Sequence, residues 1–261
     1  MTEGTLSHAR RGAGIPLVFV HAFPLSQLMW EGELSFFEKN FQPISIDLPG
    51  FGTSPLRGEE TSMESAAEAL KKLLEETAPR EKTVLCGLSM GGYVLFEFMR
   101  KYGDRARALV LASTRAAADT PEAKANRFKM MQQVESRGAS AAAEAMVPKL
   151  LGKTALENRP ELVDKVRGLI LKNTPGGIVA ALKGMANRRD STALLPQIKC
   201  PVLILAGEED ALINPEEMKS MTEELPDSRL TVIPKAGHLL NLEQPGEFDK
   251  AVINFLKAKV L

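Results

Sequence analysis

Six short runs of aliphatic and β-branched residues recur along the chain, at Leu17–Val20, Ile44–Ile46, Thr83–Cys86, Ala108–Leu111, Val202–Leu205 and Leu230–Ile233. They are almost continuously apolar rather than alternating, the pattern of strands buried on both faces in a parallel sheet. A seventh, weaker run covers Thr5 to Arg10. Between them the period changes to that of helices. Thr61 followed three residues later by Glu64 has the spacing of a capping box, and Met63, Ala67, Leu70 and Leu74 then repeat on one face. Asn214 with Pro215 predicts a helix start, with the helix running to about Leu225. Phe248, Val252, Phe255 and Leu256 form a final apolar face. Strand alternating with helix predicts an α/β fold with a doubly wound, mostly parallel sheet.

The alternation fails once. From about Ala118 to Thr192 helical spacing runs on without a strand, punctuated by Pro148, Pro160 and Pro175-Gly176-Gly177. This divides the chain into a core domain, residues 1–117 and 193–261, and a helical cap, residues 118–192. The cap is too apolar for a solvated excursion. Phe128, Met131, Met146 and Met185 are its candidate substrate-pocket residues, and the competing reading packs them against one another and the sheet.

Charge narrows the partners. In 261 residues, 33 basic and 33 acidic side chains cancel, which argues against nucleic acid or an anionic membrane surface and for a small molecule. No apolar stretch approaches the roughly 20 residues that span a bilayer, and Met1–Gly14 lacks the apolar segment of a signal peptide. Cys86 and Cys200 lie in or beside buried strands and suit small core residues better than a disulfide, so a cytoplasmic setting is expected. Three dispersed histidines and the lack of phosphate-loop or nicotinamide fingerprints predict no metal and no cofactor.

The chemistry concentrates at strand ends. Gly87-Leu88-Ser89-Met90-Gly91 stands between a strand and a helix, the setting of a nucleophile elbow. A serine hydroxyl needs a base. His8 falls in the weak first run and His21 opens the turn His21-Ala22-Phe23-Pro24, where loop shaping is the simpler role. His238, in the loop after the last strand, is left as the candidate base. The acid that orients it should fall between the two in chain order, and the strand ending at Gly207 delivers Glu208, Glu209 and Asp210. Asp210 reaches farthest into the turn and is the first choice, with Glu209 in reserve and Asp119 a rival. Oxyanion donors are expected from the backbone N–H groups of Met90 and Phe23.

With these residues in view, the chain resembles the α/β-hydrolase superfamily over essentially its whole length. His21-Ala22-Phe23-Pro24, Asp47-Leu48-Pro49-Gly50-Phe51-Gly52, Gly87 to Gly92, Gly207 to Asp210 and Gly237-His238 occur in that family's order. The branches it is most similar to are small carboxylesterases, 3-oxoadipate enol-lactonases and cofactor-free haloperoxidase or perhydrolase enzymes. The resemblance implies an eight-strand-type sheet with a helical cap inserted after the sixth strand. Two departures stand out. Ala22 replaces the glycine many relatives carry, and the first strand comes early, so a short leading hairpin is expected. A serine at position 89 argues against haloalkane dehalogenases, whose nucleophile is aspartate.

The expected function is therefore hydrolysis of a small carboxylic ester or lactone through an acyl-enzyme on Ser89. The alternatives are a perhydrolase or haloperoxidase-like reaction with the same triad, and a non-catalytic small-ligand receptor on the same fold. An inward-pointing Arg127, Arg188 or Arg189 would shift the expected substrate toward one bearing a carboxylate.

Overall fold

A computed structural model describes residues 6–261. Seven strands form one sheet: β1 (His8–Arg10), β2 (Pro16–Val20), β3 (Gln42–Ile46), β4 (Thr83–Leu88), β5 (Ala106–Ala112), β6 (Val202–Gly207) and β7 (Ser228–Ile233), in the order β1-β3-β2-β4-β5-β6-β7. Only β1 is antiparallel, pairing with β3. The weak seventh run is thus a strand from His8, and its first residue, Thr5, lies outside the described residues. Every residue of β2 and β4 is buried, which is why their sequences are apolar without alternation. At the edge, β7 keeps only Ile233 buried.

The core helices are α1 (Glu31–Phe37), α2 (Met63–Thr77), α3 (Met90–Tyr102), and, after a helical interval, α9 (Pro215–Glu224), α10 (Leu240–Glu243) and α11 (Pro245–Lys259). The interval itself holds α4 (Pro121–Arg137), α5 (Ala139–Leu150), α6 (Lys153–Asn158), α7 (Pro160–Leu171) and α8 (Pro175–Ala186). It falls between β5 and β6; the eight-strand plan counts the strand before it as the sixth. The start of α9 follows the predicted cap, with the Glu216 N–H donating to Asn214 Oδ1 at 2.9 Å and the Asn214 N–H to Glu217 Oε1 at 3.4 Å. The start of α2 does not. Ser62, rather than Thr61, caps it by accepting the Ser65 N–H at 3.1 Å, while the Thr61 hydroxyl donates to Pro49 O at 3.3 Å. Thr61 is drawn away because its N–H is bonded to Ala180 O of α8 at 3.1 Å.

The helices of the interval pack on one another, α4 on α8 and α5 on α7, and are fastened to the sheet loops by a few buried polar groups. Asn173 donates to Pro24 O at 3.0 Å and accepts the Gly52 N–H at 2.9 Å. The chain order reverses direction around β2 and β4, so the loops leaving the C-terminal ends of β2, β4, β5, β6 and β7 gather along one edge. In open α/β sheets that edge is where ligands bind.

Candidate functional site

Ser89 sits between β4 and α3 with φ 56° and ψ −113°, in the left-handed half of backbone space. The strain is held by what surrounds it. A Cβ at Gly87 would lie 2.7 Å from Gly91 C, and one at Gly91 would lie 2.3 Å from Val20 O, so only glycine lets strand, elbow and helix approach this closely. The Ser89 N–H donates to Ala112 O at 2.9 Å and the Thr114 hydroxyl to Ser89 O at 2.9 Å, tying the elbow to the end of β5. Ser89 remains partly accessible.

His238 is buried, and its Nδ1 lies 2.9 Å from Asp210 Oδ2 and 3.1 Å from Oδ1. Asp210 is fixed in turn by the N–H groups of Leu212 at 2.8 Å and Ile213 at 3.0 Å, both donating to Oδ1. Burial alone would raise its carboxyl; the adjacent His238 and the two backbone donors outweigh that and hold it below the ordinary aspartate value. An acid ionised in this position orients the ring with Nδ1 protonated and leaves Nε2 free to accept.

The rival acids are engaged elsewhere. Glu209 accepts from the Thr154 N–H at 2.7 Å and the Thr154 hydroxyl at 2.5 Å, at the start of α6. Glu208 accepts the Lys235 N–H at 2.9 Å. Asp119 binds Arg188 at 2.5 Å and Arg127 closer still, which keeps its carboxyl low against the penalty of its own burial. His21 is fully buried; its Nε2 accepts the Leu48 N–H at 3.0 Å and its Nδ1 donates to Ala22 O at 3.0 Å. Burial pushes its ring below the ordinary value, so it is a neutral strut of the β2 loop. His8 is exposed on β1.

The His238 loop is also bonded to the helical interval. Glu243 accepts the Gly152 N–H at 2.8 Å and the Gly237 N–H at 3.0 Å, and the Leu239 N–H donates to Leu150 O at 3.1 Å. Nothing in the sequence pointed to Glu243 as a link to the helical interval, because Gly152 lies 91 residues away.

Ser89 and His238 open into one cavity of about 240 Å³. Phe23, Met146 and Met185 are among the residues that line it. Met90, the first residue of α3, is buried, with its N–H at the helix start where intrahelical acceptors are lacking. Two expected pocket residues are not there. Phe128 is 52% exposed on the outside of α4, and Met131 points with Val134 into the core. The face of α4 turned to the cavity is Ala123, Asn126, Arg127 and Met130, a stripe at spacings of three and four. That stripe is of mixed polarity, so apolar patterning alone does not lead to Asn126. Tyr93, under the Arg188 guanidinium at 4.1 Å, and Lys149 were missed likewise. Arg189 faces away, pairing with Glu97 at 2.7 Å and Glu64 at 3.0 Å. Among the described residues no cluster of three or more His, Cys, Asp or Glu side chains is placed to hold a metal ion, and no helix is long and apolar enough to cross a membrane.

Known proteins share this fold. The family described as alpha/beta hydrolase fold matches residues 15–245. A thermophilic esterase from Thermogutta terrifontis, in a structure with malate bound, is 42% identical, with a TM-score of 0.95 over 98% of this chain and 94% of that one. The 3-oxoadipate enol-lactonase 2 of Acinetobacter baylyi is 25% identical over 98% of this chain and 93% of its own. A pimeloyl-acyl-carrier-protein methyl ester esterase of Nitrosomonas europaea is 26% identical over 91% of this chain and 94% of its own. With the family's model matched over residues 15–245 and a solved esterase of the same fold at 42% identity, this chain belongs to the α/β-hydrolase fold family.

Proposed function

We propose that this protein hydrolyses a small carboxylic ester or lactone through an acyl-enzyme on Ser89, with His238 as base and Asp210 as the acid that orients it. The observation that carries the reading is a buried His238, bonded to Asp210, that lines the same cavity as a serine on a strained elbow. In this scheme Nε2 of His238 takes the Ser89 proton as Oγ attacks the carbonyl carbon. The developing oxyanion is received by the N–H groups of Phe23 and Met90, donors of a kind worth about 3–4 kcal/mol each in catalysis. Collapse returns the proton from His238 to the leaving alkoxide, or to the ring-opened oxygen of a lactone. Water, deprotonated by the same ring, then releases the acid and restores Ser89. The helices of residues 118–192 act as a cap, roofing the cavity with Met146 and Met185.

The names of the relatives support the ester and lactone classes. Ser89→Ala should lower turnover of nitrophenyl esters by about 10⁴–10⁶. A fluorophosphonate should leave its adduct on Ser89 in a peptide digest. An adduct elsewhere, with activity intact in the alanine variant, overturns the assignment.

A further inference from the structure

The charge on the cavity wall is not balanced. Asp119 is the one carboxylate among the lining residues, and it accepts from both Arg127 and the buried Arg188. Asp119 is shared by two guanidinium groups, and Asp190 acts on Arg188 alone from farther off, so Arg127 is left only partly neutralised. The Nη1 of Arg127 meets only Met185 Sδ, at 3.4 Å, and a thioether is a weak acceptor. Arg115 spends its Nη2 on Leu212 O at 2.6 Å and Glu217 at 3.3 Å, while its Nε is buried without a partner. Lys149, exposed on the same cavity, has no ion-pair partner among the described residues.

A chain that is neutral overall has therefore placed surplus cations on the cavity that Ser89 and His238 open into. Unmatched donors in a partly dry cleft cost stability unless an acceptor arrives with the ligand. We infer that the cavity selects substrates carrying a free carboxylate beside the ester or lactone bond, held by Arg127 and Lys149. This rests on the hydrolase reading above. The planar guanidinium suits the two oxygens of a carboxylate, and the apolar side chains of Phe23, Met130 and Met146 suit the few methylenes between the two ends. A cavity of about 240 Å³ is large enough for a short diacid monoester.

The test pairs turnover with binding. Monomethyl glutarate should exceed dimethyl glutarate in kcat/KM by about tenfold, the worth of one charge-assisted hydrogen bond. That ratio should shrink by more than half in about 0.5 M salt, where screening is short-ranged. Lys149→Met and Arg127→Gln should each lower the ratio by about fivefold, chiefly through KM; the exposed Lys149 serves if the Arg127 variant fails to fold. In parallel, glutarate is titrated calorimetrically into the intact protein, with glutaramide and inorganic phosphate beside it. Glutarate should bind, weakened about fivefold in Lys149→Met, and the other two should not. Neutral ester hydrolysed as well as the monoacid, with no glutarate bound, overturns the inference and leaves the hydrolase reading standing. Glutarate bound through Lys149 with no ester hydrolysed sinks the hydrolase reading and keeps the anion site. Phosphate bound as tightly as glutarate rules out a carboxylate-selective site.

Discussion

Glu33, on α1, is 2% exposed and lies in a pocket of underused polar atoms. The Asn241 amide donates to its Oε1 at 3.3 Å, while its Oε2, Asp249 Oδ1 and Asn241 Oδ1 have no partners. Burial first, and the nearby Asp249 charge second, push the Glu33 carboxyl up to about 8; burial lifts Asp249 to about 6. An unfolded glutamate titrates near 4.5. From that pH upward the unfolded chain gives up the proton that the folded chain keeps. Stability is thus full below 4.5, and declines until pH passes 8. At ~1.36 kcal/mol per pH decade of unequal protonation, the loss is about 3 kcal/mol by pH 7 and approaches about 5 by pH 9. Glu33→Gln keeps the shape and the Asn241 contact but has no charge to bury. The two proteins should melt together near pH 4.5, and the variant should lead by roughly 6–12 °C at pH 7, at ~2–4 °C per kcal/mol for a chain of this size. Thermal melts followed by circular dichroism across that range check it. A difference that stays flat with pH, or that grows toward acid, refutes the account.

Asp210→Asn should preserve the contact with His238 Nδ1 yet favour the wrong tautomer, costing about 10⁴ in kcat; Glu209→Gln, whose partner is Thr154, should cost less than about tenfold. Steady-state rates on one nitrophenyl ester compare the two, and equal losses would mean the acid has been misassigned. Gly91→Ala places a Cβ 2.3 Å from Val20 O in the centre of the sheet, so it should destabilise by about 2–4 kcal/mol and disturb the elbow. A variant that melts within 2 °C of the parent, by about the scatter of one kcal/mol, counts against that packing.

Much of the candidate site was legible because it is local. The elbow needs two glycines two residues either side of a serine, and Asp210 and His238 each follow a strand directly, so position in the sequence nearly fixes position in space. Long-range choices were not legible. Thr61 and Ser62 are both good caps, and a hydrogen bond from α8 decided between them. Phe128 is as apolar as Met130, but α4 is turned by its packing on α8 and α5, which sends the phenylalanine to solvent and brings the mixed face inward. The Asp119–Arg188 pair spans 69 residues, and no spacing rule reaches that far.

The bonds between Glu243, Gly152 and Gly237, with those between Glu209 and Thr154, bear on how such proteins can be recombined. Inserted helical layers invite treatment as cassettes, to be exchanged between relatives to transplant specificity. Here the graft has a hidden seam. The backbone donors of residues 150–154 belong to the insertion, while the carboxylates that receive them belong to the loops that carry Asp210 and His238. A foreign cassette without matching N–H groups would strand Glu243 in a buried place and release the histidine loop on one side. A chimera should therefore be cut so that residues 150–154, Glu209 and Glu243 travel together.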